Sequence, residues 1–178
     1  AVHRLRILVE DVARFTATEP DPPGPVRIGR EIASARALLE PALSGRLVTT
    51  FAIEDTPAIR AARGPLLRGL CYLLLAALES AGGTPEPRVT VEARAQGGWV
   101  HVEVRDNGTG YAVDIQSRLA DTPWLAARTG LAPLYLGLAA REIRQAGGAM
   151  EVATAAGTGA RVRLSFPAAD AIIAVRPL

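Results

Sequence analysis

The chain has 178 residues, 49% of them hydrophobic and 21% charged, enough apolar residue for the core of one domain and too much for an intrinsically disordered chain. Its 20 basic residues, all Arg with no Lys, are offset by 18 acidic ones to a formal charge of +2, which excludes a strongly basic nucleic-acid surface. Cys71 is the one cysteine, so no disulfide framework exists within the chain and a reducing compartment, the cytoplasm, is the expected location. No signal peptide is visible, and no apolar run reaches the length of a membrane span, so no direct membrane insertion is expected.

The opening segment, AVHRLRILVEDVARFTA, places Leu5, Leu8, Val12 and Phe15 at helical spacing between charged residues, which predicts an amphipathic helix with one apolar stripe. One helix cannot bury its own stripe, so a partner helix is expected from a preceding part of the protein, a second subunit or both. The chain opens on Ala1 and its only methionine is Met150, from which we expect residues 1–178 to be cut from something longer. TEPDPPGP then ends the helix, because proline lacks the amide donor and clashes with the preceding turn; a linker is predicted here.

Beyond it the pattern predicts a helix over about 30–44, a strand over RLVTTFAIE, and a helix over GPLLRGLCYLLLAALESAGG closed by two glycines. RVTVEARAQ and WVHVEVRD alternate on either side of Gly97-Gly98, a hairpin signal. The second of these strands runs into DNGTG, an acidic, glycine-punctuated loop. An irregular stretch to Gly130 follows, then a helix over about 134–145 with a Gly147-Gly148 stop, and two strands, AMEVATA and ARVRLSFP, joined by AGTG. The tail, AADAIIAVRPL, either adds an edge strand or does nothing. Repeated strand-helix-strand units are missing, so the expected class is α+β: a two-layer sandwich of a mixed sheet with helices on one face.

Little chemistry is announced by single residues. Cys71 lies in an apolar segment as a small buried hydrophobe, and His101 alternates within a strand as a sheet-face residue. Two isolated histidines and one cysteine make neither a zinc site nor a nucleophile-base pair. No interleaving of aromatic and basic residues suggests a nucleic-acid platform.

The order helix, hairpin, DNGTG, loop, helix, Gly-Gly, hairpin, FP resembles the ATP-binding domain of sensor histidine kinases over roughly residues 26–167. Such domains have the Bergerat-type ATPase fold of the GHKL superfamily, shared with gyrase and Hsp90. HRLRILVEDVARF is similar to the end of the second dimerisation helix that precedes the domain in these kinases. The resemblance implies a stem fragment over 1–18, a linker over 19–25, the ATP-binding domain over 26–167 and a tail over 168–178. It also implies ATP and Mg as cofactors, and as partners a phosphoacceptor helix, a response regulator receiver domain and a second copy through the N-terminal helix. His3 lacks the acidic neighbour and downstream proline of the phosphoacceptor box, so the phosphorylated histidine is expected outside this chain and no catalytic residue within it.

By the same resemblance, Asp106 accepts a hydrogen bond from the adenine amino group while Gly108 and Gly110 let backbone pass close beneath the base. Gly130 corresponds to the first glycine of the phosphate-wrapping motif at the start of the next helix. Other positions depart from the pattern. Ala76 stands where the family has its magnesium-binding asparagine, with Tyr72 one turn earlier, and a methyl offers none of the oxygens that magnesium requires. Asn107 is the chain's one asparagine, and Glu79, three residues past Ala76, is the nearest substitute donor or else a solvated surface acid.

Pro133 and Tyr135 fall near expected glycines; proline removes an amide donor and tyrosine adds bulk. Gly137 is read as a helix-interior glycine that permits close packing. Residues 111–129 have the length of a short ATP lid, in which Arg118 and Arg128 are read as solvated charges within possible reach of a phosphate and Trp124 as filler of a nucleotide-sized gap. Two functions stay open: the ATP-binding domain of a two-component histidine kinase with full or weakened chemistry, or a nucleotide-free pseudokinase or dimeric phosphotransfer scaffold that docks a response regulator.

Overall fold

The computed structural model describes residues 22–43, 48–154 and 157–170. The predicted N-terminal helix with His3, residues 19–21 of the linker and the tail beyond residue 170 lie outside the described residues. In chain order the elements are β1 (Gly24–Val26), α1 (Ile28–Leu43), β2 (Val48–Ile53), β3 (Ile59–Ala61), α2 (Arg63–Ala81), β4 (Arg88–Gln96), β5 (Trp99–Asp106), α3 (Ile115–Arg118), α4 (Thr122–Ala126), α5 (Ala132–Gln145), β6 (Ala149–Thr154) and β7 (Ala160–Pro167).

Five strands form one sheet in the order β2-β4-β5-β7-β6, parallel only between β2 and β4 and antiparallel elsewhere. This is the expected mixed sheet. The β4–β5 hairpin turns through Gly97 and Gly98 with φ of 59° and 80°. Two consecutive positive φ angles are what a tight hairpin turn matched to strand twist requires, and glycine adopts them without a steric cost. Four short elements were not predicted. β1 and β3 pair into a two-stranded antiparallel sheet, so the end of the expected linker is a strand; α3 and α4 interrupt the stretch expected to be irregular. All four are shorter than the stretches over which helical or strand periodicity can be read.

One face of the sheet is apolar. Val89, Val91 and Ala93 of β4, Val100, Val102 and Val104 of β5, and Val162, Leu164 and Phe166 of β7 are buried against the helical layer. α2 lies centrally in that layer, between α1 and α5, and rests on β4 and β5. By length and composition α2 could cross a bilayer, contrary to the expectation that no run could; here most of it is buried in the core. Gly69 lets α5 approach, since a Cβ there would come within 2.7 Å of Ile143 Cδ1. Beside this contact the Arg68 Nε donates to Glu142 Oε2 at 2.8 Å, and Glu142 is 4% exposed. A second buried acid, Glu31 of α1, accepts from Arg63 of α2 at 2.6 Å.

The other face is polar and presents His101, Glu103, Arg105, Arg161, Arg163 and Ser165 in cross-strand register. His101 bonds Ser165 Oγ through Nδ1 at 2.9 Å, as expected of a sheet-face residue, and burial together with Arg163 and Arg94 lowers its pKa. Glu103 is held by Arg105 and, at 3.1 Å, by Arg163. Burial raises the Glu103 pKa, but these arginine hydrogen bonds outweigh it, and the net shift is down from the ordinary 4.5. A depressed acid contributes stability that is complete above its unfolded pKa and is lost as pH falls through the folded value. Glu103→Gln is therefore expected to reduce stability at neutral pH and to flatten its decline below pH 4.5; urea midpoints from pH 7 down to pH 3 check this. An unchanged acid limb would show that the arginines contribute nothing through Glu103.

Candidate functional site

The end of β5 delivers Asp106 to the C-terminal end of α2. Its Oδ1 accepts from Ser80 Oγ at 2.8 Å and from the Gly108 amide at 2.9 Å. Burial raises the Asp106 pKa above the ordinary carboxylate value, while Ser80 and the amides of Gly108 and Ala160 act against the rise. The loop after Asp106 is pressed onto α2: a Cβ on Gly108 would come within 2.2 Å of Ser80 O. What crowds Gly108 is thus Ser80 of the chain itself. Gly110 has φ of 72°, a conformation that favours glycine.

Asn107 ties the loop to the start of β4, accepting from the Arg88 amide and donating to Glu86 O, each at 2.8 Å. Its side-chain oxygen is committed there. Tyr111 follows the loop into the core, where its hydroxyl donates to the main-chain oxygen of Ala76 at 3.3 Å. Burial chiefly, and the nearby negative charge of Asp106, raise its pKa, so it stays a neutral donor. Its amide donates to Thr154 Oγ1 at 2.7 Å, and the Gly157 amide donates to Thr109 O at 2.9 Å, so the β6–β7 end closes over the loop.

Ala76 is fully buried, at 0% exposure. Tyr72, one turn earlier on α2, stacks on Tyr135 of α5 with ring centroids 6.4 Å apart and 16° between planes. The stack draws together two positions that the sequence placed in the metal and phosphate regions. Pro133 lies in the first turn of α5, so one of the amides at that helix N-terminus is missing. Gly130 precedes this helix with φ of 80°, and the next amide, that of Leu131, points at Glu79 Oε1 across 3.5 Å. Glu79 is exposed, as expected of a surface acid, yet its carboxylate reaches the α5 N-terminus.

Arg118 and Arg128 both stand over the Trp124 ring, 5.6 and 3.9 Å from its centre, and Arg118 also pairs with Asp121 at 3.2 Å. Gly137 lies inside α5, where a Cβ would come within 2.3 Å of Leu125 Cδ1, so the segment carrying α3 and α4 packs tightly on α5. Beneath this segment a cavity of about 240 Å³ is lined by Gly110, Tyr111, Ile115, Trp124, Arg128 and Pro133 among others. That is below the roughly 300 Å³ at which pockets for drug-sized ligands begin.

The residues at the adenine end fit a base-binding role in kind, a buried carboxylate beside glycine backbone. Those at the magnesium end do not fit a metal: the expected donor is a buried methyl, and the one asparagine amide is bonded elsewhere. The sequence brought forward Asp106, Gly108, Gly110 and Gly130, and the structure gathers the first three around Ser80 and Tyr111. It missed Ser80, Tyr111 and Thr154. Their signal was weak, a serine near a helix end and two residues at strand or loop ends, though Ser80 sits one turn after Ala76 on the same face of α2.

Residues 64–170 match the family of histidine kinase-, DNA gyrase B-, and HSP90-like ATPases. Among solved structures, the fold is similar to the catalytic domain of histidine kinase ThkA, with a TM-score of 0.69 at 15% identity over 82% of this chain and 95% of that one. It is similar to the mycobacterial sensor histidine kinase MprB, with a TM-score of 0.66 at 16% identity over 82% and 97%. It is also similar to full-length ShkA, solved with AMPPNP, with a TM-score of 0.67 at 27% identity over 94% of this chain and 37% of that one. The mixed sheet and the helical layer on one face thus have their counterpart in the catalytic domain of histidine kinases, and the chain belongs to the histidine kinase-, DNA gyrase B- and HSP90-like ATPase family.

Proposed function

We propose that this domain works in cytoplasmic two-component signalling as a histidine-kinase-type module whose ATP chemistry is weak or lost. One observation carries the reading: Ala76, at the position expected to bind magnesium, is a fully buried methyl beneath the Tyr111 hydroxyl. Phosphoryl transfer depends on positioning and on neutralising the phosphate charge, and without the metal ligand the second requirement goes unmet. The protein that fits this pocket is a scaffold. Residues 1–18 supply part of a dimeric helical stem, the phosphoacceptor histidine lies outside this chain, and the domain described here docks a response regulator receiver.

The test is a thermal melt of the protein with ATP and with ADP, each with and without magnesium. A ligand at 100 times its dissociation constant raises stability by about 2.7 kcal/mol, so millimolar nucleotide reports any micromolar site. The expected result is a small shift or none, identical with and without magnesium. A clear shift that requires magnesium would overturn the proposal and restore an active kinase.

A further inference from the structure

We infer that Glu79 is the residue that turns polyphosphates away from this pocket. The inference rests on the reading of the pocket as a former nucleotide site, and it gives that site a chemical selectivity against anions. The N-terminus of α5 carries free amides and the positive end of the helix dipole, an arrangement that attracts negative charge. In this chain that charge comes from within, because Glu79 Oε1 faces the Leu131 amide at 3.5 Å. The same oxygen is 3.5 Å from where a Cβ of Gly130 would lie, so the carboxylate sits over the glycine of the expected phosphate motif.

Two further features make the substitution specific to this place. Pro133 removes one amide from the first turn of α5, leaving fewer donors to share between Glu79 and an incoming phosphate. The Tyr72–Tyr135 stack joins α2 to α5, the two helices between which Glu79 reaches. A phosphate chain approaching the α5 N-terminus therefore meets the Glu79 carboxylate where the family would offer open amides. An uncharged nucleoside meets no such opposition.

The experiment measures binding of inorganic tripolyphosphate, ATP and adenosine by calorimetry at low ionic strength, for the unaltered protein, Glu79→Gln and Glu86→Gln. Glu86 is an exposed acid, its side chain 78% exposed, and its replacement changes net charge equally. Glu79→Gln is expected to bind tripolyphosphate about tenfold more tightly than the unaltered protein, the scale of one like charge removed at close range, with the gain shrinking in high salt. Adenosine affinity is expected to be the same in all three.

Equal tripolyphosphate binding by the unaltered protein and Glu79→Gln would overturn the inference, and so would an equal gain in Glu86→Gln, which would mean net charge alone. Tripolyphosphate needs no adenine pocket. A gain confined to Glu79→Gln without adenosine binding in any protein would therefore support the role of Glu79 while removing the adenine site, and adenosine binding without that gain would do the reverse.

Discussion

Gly108→Ala is expected to destabilise the fold by about 3 kcal/mol, because the new Cβ would sit 2.2 Å from a main-chain oxygen that cannot rotate away. To seat the methyl, the loop must lift from α2. That movement stretches the bonds by which Ser80 and the Gly108 amide hold Asp106, each of the charge-assisted kind worth about 1.5–3 kcal/mol. For a domain of this size the melting temperature should fall by about 10 °C in scanning calorimetry. Gly83→Ala serves as the comparison, since nothing lies within 4 Å of a Cβ there, and it should melt within a degree or two of the unaltered protein. If Gly108→Ala melts as high as Gly83→Ala, the tight seating of the loop on Ser80 is wrong.

Removal of Arg68 should have an effect of similar size by a different cause. Arg68→Ala leaves Glu142 buried in the α2–α5 interface with Arg141, at 3.1 Å, as the remaining ion-pair partner among the described residues. Breaking a buried pair costs about 3–5 kcal/mol because an uncompensated charge remains; the partial access of Arg68 and the help from Arg141 place the loss near the lower figure. Replacing both members removes the stranded charge. Arg68→Met with Glu142→Leu is accordingly expected to recover most of the loss, since buried pairs exchange for apolar residues at little net cost. Equilibrium unfolding in urea distinguishes the cases: additive losses in the double variant would mean that the two side chains act separately and not as a pair.

How far the sequence could be read depended on the kind of signal. β4, β5 and β7 alternate over eight or nine residues, and α2 runs for 19, so each carries many repeats of its period. β1 and β3 are three residues each and exist through pairing with one another, which no local pattern announces. The same distinction holds at the site. That position 76 of α2 carries no oxygen donor was legible because it depends on residue type at one position of a long helix. The contacts made around that position were not. The Ser80–Asp106 bond and the reach of Glu79 to Leu131 join residues 26 and 52 apart in sequence, and only the packed layers bring them together.

The parallel pairing of β2 has a consequence for the order of assembly. β4 and β5 meet through a tight turn, and β6 and β7 through a short one, so these hairpins need little loop closure before their bonds form. β2 joins the sheet only beside β4, after the intervening chain of β3 and α2 has folded across, and it occupies the sheet's end with its far side unpaired by the other strands. It should be the last strand to dock and the first to open. Its amides would then exchange with solvent through a local fluctuation well below the free energy of global unfolding, whereas those of β5, flanked by β4 and β7, would await the opening of the whole core.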